Sequence, residues 1–168
     1  MLKKIAFAVV MFMLPLGVMA QTKFGHINSG DIIAAMPEYT KAQADLDALG
    51  KQYQEELKRG EDELNKKYQE LLQQADSLPK NIAERRQKEV QDMAQRQQQF
   101  QQDAYQNMQK AQEDAFAPIQ QKMNEAVQAV GKAEGVIYIF DIARTPIAYI
   151  GTESIDLTAK VKAQLGIK

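Results

Sequence analysis

LDALGKQYQEELKRGEDELNKKYQELLQQADSL, residues 46–78, sets the architecture of this chain. Leu46, Leu49, Tyr53, Leu57, Leu64, Tyr68, Leu71, Ala75 and Leu78 recur at spacings of three, four or seven, and Lys, Glu, Asp and Gln fill the remainder. A seam this narrow is the pattern of a helix paired with one other helix, not of a helix lying on a globular core. Gly60 stands on the seam where Leu is expected and weakens it locally. No proline occurs between Glu38 and Ser77, so one helix of about forty residues, roughly 60 Å long, is predicted.

Asp76-Ser77-Leu78-Pro79-Lys80-Asn81 supplies turn residues and ends that helix. A second periodic stretch runs from Ile82 to about Ala133, with Val90, Met93, Phe100, Ala104, Met108, Ala111, Ala115, Ile119, Met123, Ala126 and Val130 on its seam. Pro118 interrupts it and predicts a kink or a local break, because a mid-helix proline loses a bond and clashes with the preceding turn. Two long helices joined by a six-residue turn lie antiparallel. Residues 38–131 therefore read as a helical hairpin arm with its tip near 76–81.

The flanks are strand-like. Lys23 to Ile27 is short and β-compatible, Asn28 to Asp31 ends it, Ile32 to Met36 suits one or two helical turns, and Pro37 fits the first turn of the arm. Val136-Ile137-Tyr138-Ile139-Phe140 is a continuous apolar run suited to a strand buried on both faces. Pro146 to Ile150 reads as its hairpin partner, and Asp156 as the N-cap of a last helix carrying Leu157, Val161 and Leu165 on one face, closed by Gly166. The fold class is α+β, mostly α, with residues 21–37 and 132–168 meeting as a discontinuous β-rich head. So small a head cannot cover its own apolar strand, and another copy of the same head is the economical cover. Ile27, Val136, Ile137, Tyr138, Ile139, Phe140, Ile147 and Tyr149 are the residues expected to mediate that homo-oligomer.

Residues 1–20 have the layout of a cleaved secretory signal: Lys3 and Lys4, an apolar run from Ile5 to Val18, and Val18-Met19-Ala20 at the cleavage positions. Removing them leaves 148 of 168 residues, one domain's worth, and lowers the formal charge from -1 to about -3 by taking away two lysines. That balance gives no positive field for nucleic acid, and with no cysteine there is no disulfide framework. Catalysis has little to work with. His26 is the only histidine, with no cysteine or second histidine beside it, and it reads as a satisfied or surface strand residue. The carboxylates alternate with lysines on helical faces and form no metal-ligand cluster, and no glycine loop could cradle a phosphate. Neither a cofactor nor a metal is expected. Lys80, Arg85, Arg86 and Lys88 give the arm tip a weak positive character suited to an anionic membrane surface or to acidic clients, diluted by Glu84 and Glu89.

Tyr53, Tyr68, Phe100, Tyr105, Met108, Phe116 and Met123 are distributed along the arm. Most pack helix on helix, but Tyr105 beside Ala104 and Phe116 beside Ala115 cannot all fit a narrow seam. Aromatic and methionine side chains left partly exposed bind varied apolar segments adaptably.

The order of features resembles a known family. A strand ends in Ile27-Asn28-Ser29-Gly30, a charged hairpin follows whose return arm reads Asp92-Met93-Ala94-Gln95-Arg96-Gln97-Gln98-Gln99-Phe100, and Ile155-Asp156-Leu157-Thr158-Ala159-Lys160-Val161 opens the last helix. The whole is similar to the Skp/OmpH family of periplasmic chaperones over essentially the entire mature chain. The resemblance implies a homotrimer whose heads share a β-barrel, with three arms enclosing a cavity that holds unfolded outer-membrane proteins without ATP. Those seven arm residues are then the expected client contacts. Members of the family are basic, whereas this mature chain is slightly acidic, which shifts weight to an apolar and Gln-rich lining. A structural envelope adaptor, docking a partner coiled coil through the hairpin, is the alternative.

Overall fold

The computed structural model describes residues 22–74 and 77–167; the signal-peptide reading of residues 1–20 lies outside them. Strand β1 (Phe24–Ile27) leads into a short helix α1 (Ser29–Ala34) and then α2 (Pro37–Gln74). Helix α3 (Lys80–Glu134) returns, followed by β2 (Tyr138–Asp141), β3 (Ile155–Asp156) and a terminal helix α4 (Thr158–Gln164).

Local chemistry sets the boundaries. Asn28 caps α1 by accepting the Asp31 N–H at 3.2 Å. Pro37 opens α2, where its missing N–H has no intrahelical partner to lose. Gly135, with φ of +65°, closes α3 in the left-handed conformation that favours glycine, and its N–H returns to Gly131 and Lys132 carbonyls. The 55 residues of α3 span about 80 Å. Pro118 lies inside α3 without ending it, so of the expected kink or local break the break is absent. Pro118 and Asp114, whose carbonyl loses its helical partner, are both exposed residues, where water can replace the missing bond.

The sheet departs from expectation. β1 is its centre, parallel to β2 on one side and to β3 on the other, in the order β2-β1-β3. The predicted second strand at 146–150 is not one. The Asp141 carboxylate accepts N–H groups from Ser29 and Ala143 at 3.1 Å each, turning the chain sharply off the end of β2 instead of into a hairpin. β1 takes its other neighbour from Ile155 and Asp156. Asp156 thus belongs to a strand and Leu157 occupies the cap position, yet the Asp156 carboxylate still accepts the Thr158 N–H at 2.9 Å.

The core sits where the inner sheet face meets α1, α4 and the last turns of α3. Ile27, Ile32, Met123, Ala126, Val130, Leu157 and Val161 form it, with Val136, Ile139 and Leu165 packed against it. Ile32, Leu157 and Val161 are wholly enclosed, each contributing about 1.5–3 kcal/mol of apolar burial. The arm is thin by comparison. α2 buries none of its residues, and only Ala104 is buried in the outer part of α3.

Candidate functional site

Two surfaces carry side chains with no use inside the single chain. The first is the outer face of the sheet. Strand alternation turns Gly25 and Ile27 inward and Phe24 and His26 outward, and β2 likewise presents Tyr138 and Phe140. The register sets Phe24 beside Tyr138, with rings stacked at 6.3 Å, and His26 beside Phe140. Tyr138 and Phe140 follow one another along the strand with ring centroids 6.2 Å apart. These rings stay open to solvent, with Tyr138 61% exposed, and Ile137, Tyr149 and Ile150 of the head are exposed as well. Isolated exposed hydrophobics are ordinary; a contiguous aromatic ladder on a sheet face marks an interaction surface.

Of the residues expected to join copies, Tyr138 and Phe140 lie on this face, Ile137 and Tyr149 are exposed, and Ile147 is half-buried. Val136 and Ile139 point into the core. Ile27 is a correction: at 4% exposure it is closed inside its own head and presents nothing to another copy. Phe24 is the residue the sequence reading missed. The alternation of Phe24 and His26 against Gly25 and Ile27 was the available signal.

His26 Nδ1 lies 2.9 Å from Ser154 Oγ, and its register partner on β3 is Asp156. Ser, His and Asp therefore meet at one sheet edge without forming a relay. The Asp156 carboxyl is held below its ordinary range chiefly by hydrogen bonds from the Thr158 hydroxyl and N–H, with a smaller attraction to His26. Its oxygen is aimed at the helix start, where it accepts the Thr158 N–H. Among the described residues no group of three or more His, Cys, Asp or Glu is placed to hold a metal ion, and no helix is long and apolar enough to cross a membrane.

The second surface is the arm. Tyr53 meets Phe100 edge-on at 6.1 Å, and Tyr39 tilts against Phe116 at 5.5 Å, so these rings hold the helices together and show only part of their surface. Met108 packs over Gly50. Tyr105 and Tyr68 are the open rings, at 66% and 48% exposure, joined by Leu72, which sequence periodicity had passed over beside Leu71. Met123 is the second correction. It shares the seam's phase but lies where α3 enters the head, and the core encloses it to 3% exposure. At the arm base Lys122 hydrogen-bonds Glu38, holding that carboxyl below its ordinary range. At the tip Arg86 engages Gln74, and Lys67 pairs with Glu89.

The comparisons agree with this architecture. A crystal structure of an OmpH-like protein from Caulobacter crescentus CB15, described there as a candidate outer membrane chaperone, superposes with a TM-score of 0.73 over 87% of this chain and 85% of that one. Its sequence is only 18% identical, so the likeness is one of fold. No curated protein matches the chain in sequence. The family model described as outer membrane protein (OmpH-like) matches residues 23–165, from the first strand to the end of the last helix. The chain belongs to the OmpH-like family.

Proposed function

We propose that this chain is an ATP-independent periplasmic holdase that keeps unfolded outer-membrane proteins from aggregating, and that it acts as a homotrimer. Residues 21–37 and 132–168 form the oligomerisation head, and residues 38–131 form the arm. The observation that carries the reading is the uncovered ladder of Phe24, Tyr138 and Phe140 at the root of a long, thin arm. Covering that ladder with the heads of other copies brings several arms to a common axis and leaves a space between them. A chain held there meets many weak contacts, each readily exchanged, so it is retained without being fixed in one conformation. Nothing in this scheme needs a bond-making residue, and none of the side chains above is assigned one.

The test is aggregation of a urea-denatured β-barrel protein diluted into buffer, followed by light scattering. Purified mature protein suppresses it at near-stoichiometric amounts without nucleotide. Scattering that rises equally fast with and without the protein refutes the holdase.

A further inference from the structure

The hairpin has two unlike sides, divided by the seam. On one side a groove is lined by Leu57, Glu61, Leu64, Ala94, Gln98 and Gln101; on the other, a groove is lined by Glu56, Gly60, Glu63, Met93, Arg96 and Phe100. Following each flank of α3 at helical spacing extends the difference along the arm. The first flank runs through Gln87, Gln91, Ala94 and Gln98 to Tyr105, then Gln109, Gln112 and Phe116, and it carries no charge. The opposite flank reads Arg85, Glu89, Asp92 and Arg96, then Asp103, Lys110 and Asp114.

From Gln87 to Phe116 the uncharged row covers about 44 Å of helix. Across the groove, Tyr68 and Leu72 lie seven and eleven residues beyond Glu61, on the same side of α2. The three large apolar side chains that the arm leaves exposed, Tyr68, Leu72 and Tyr105, are therefore all on this side. The groove between Tyr39 and Phe116 continues it to the head. Asp47, Lys58 and Glu61 of α2 border this side, and Glu113 and Arg144 line its end at the head.

We infer that this Gln-and-aromatic side of the arm is the client surface, and that it grips extended, weakly charged polypeptide mainly through the client's main chain. The inference rests on the holdase reading and adds to it the side, the residues and the chemistry. A glutamine amide offers two donors and an acceptor, matching the unpaired N–H and C=O groups of an extended chain without regard to its side chains. Such bonds replace bonds to water at little net gain, so they permit sliding, while Tyr105, Tyr68 and Leu72 supply the apolar hold. Strands destined for a transmembrane barrel alternate apolar with polar residues and keep charge off their lipid face. That alternation suits a row of glutamines punctuated by rings. A charged surface would select on charge and weaken in salt, which the uncharged row of α3 avoids.

Photo-reactive residues placed singly at Gln98 and Gln112, and at Asp103 and Asp114 on the opposite flank, report which side a denatured β-barrel protein touches. All four sites lie along the same stretch of α3. Cross-links are expected chiefly from Gln98 and Gln112. In binding measurements the triple variant Gln98→Glu, Tyr105→Ala, Gln109→Glu lowers affinity about tenfold, while wild-type affinity changes less than about twofold on raising salt to about 0.5 M. Equal or greater cross-linking from Asp103 and Asp114 overturns the assignment and leaves the holdase standing. Cross-links from neither flank remove both. A steep fall of wild-type affinity with salt overturns the main-chain chemistry. All three substitutions are on exposed helix positions, and an unchanged helical circular-dichroism signal confirms that the arm is intact.

Discussion

The side-chain amide of Gln97 crosses the arm and donates to the main-chain carbonyl of Leu57, 2.6 Å away. It fits because residue 60 is glycine: a Cβ there would lie 2.9 Å from Gln97 Cδ and nearer still to Oε1. The two residues form one polar layer in an otherwise apolar seam, the kind of layer that fixes helix register at a cost in stability. Gly60→Ala alone is expected to gain helix propensity but displace Gln97 from Leu57, leaving stability near wild type. In the Gln97→Ala background the same change stabilises by about 1 kcal/mol, because nothing remains to be displaced. Thermal unfolding of the four proteins measures the coupling; strictly additive effects would show that the layer is not a unit.

Gly25 on β1 faces Leu157, and a Cβ at residue 25 would fall 2.7 Å from Leu157 Cδ1. Leu157 is wholly enclosed and has no room to yield. Gly25→Ala therefore destabilises the head by about 1–3 kcal/mol. Chemical denaturation of the variant checks the size, and adding Leu157→Val recovers part of the loss if the clash is its source.

Asp156 gives the head a specific acid response. Its carboxyl lies below the ordinary 3.8 in the folded head because Thr158 hydrogen-bonds the ionised form. A depressed folded value means that the stabilisation is full above the unfolded value and is lost as pH falls through the folded one. The gap in Tm between wild type and Asp156→Ala is expected to be constant above about pH 5 and to close by about pH 2. A gap that persists at the acid end would assign the effect of the substitution to something other than ionisation.

Replacing Tyr138 and Phe140 by serine removes two of the three ladder rings and leaves the core residues untouched. In sedimentation equilibrium the wild type is expected at a multiple of the monomer mass and the double variant at the monomer mass, with its circular-dichroism spectrum unchanged. A wild type that sediments as a monomer at micromolar concentration would remove the shared-head arrangement.

Pro118 lacks the N–H that would bond back to Asp114 within an unbroken helix. Pro118→Ala restores that bond at an exposed site and is expected to raise Tm, with a gain of up to about 3 kcal/mol.

The arm was legible because its information is local. Leu46 to Leu78 repeats at spacings of three, four or seven, and Pro37, Pro79 and Gly135 mark ends that depend on their own backbone chemistry. The head was legible as a place but not as a topology. Tyr138 to Asp141 pairs with residues 114 positions earlier, and no pattern near residue 138 says so. The apolar run at 146–150 looks like a strand until Asp141 is seen drawing Ser29 and Ala143 to its carboxylate. Met123 and Met108 share one phase in the sequence; only the packing of α1 and α4 around the root of α3 buries the first and spares the second. The difference between the two arm sides was present in the order of glutamines and charges, but it acquires meaning only once the groove assigns each row to a side.

The central position of β1 has a consequence for how the molecule is made. During synthesis β1 has no neighbour in the sheet until residue 138 and beyond have been made, since β2 begins at Tyr138 and β3 at Ile155. Non-local closures of this kind are slow, while two helices joined by a short turn can pair as soon as both are present. The arm is therefore ready before the head, and a chain cut short anywhere before β3 leaves an edge of β1 bare. A chain that lacks β3 therefore carries a finished arm on an unfinished head.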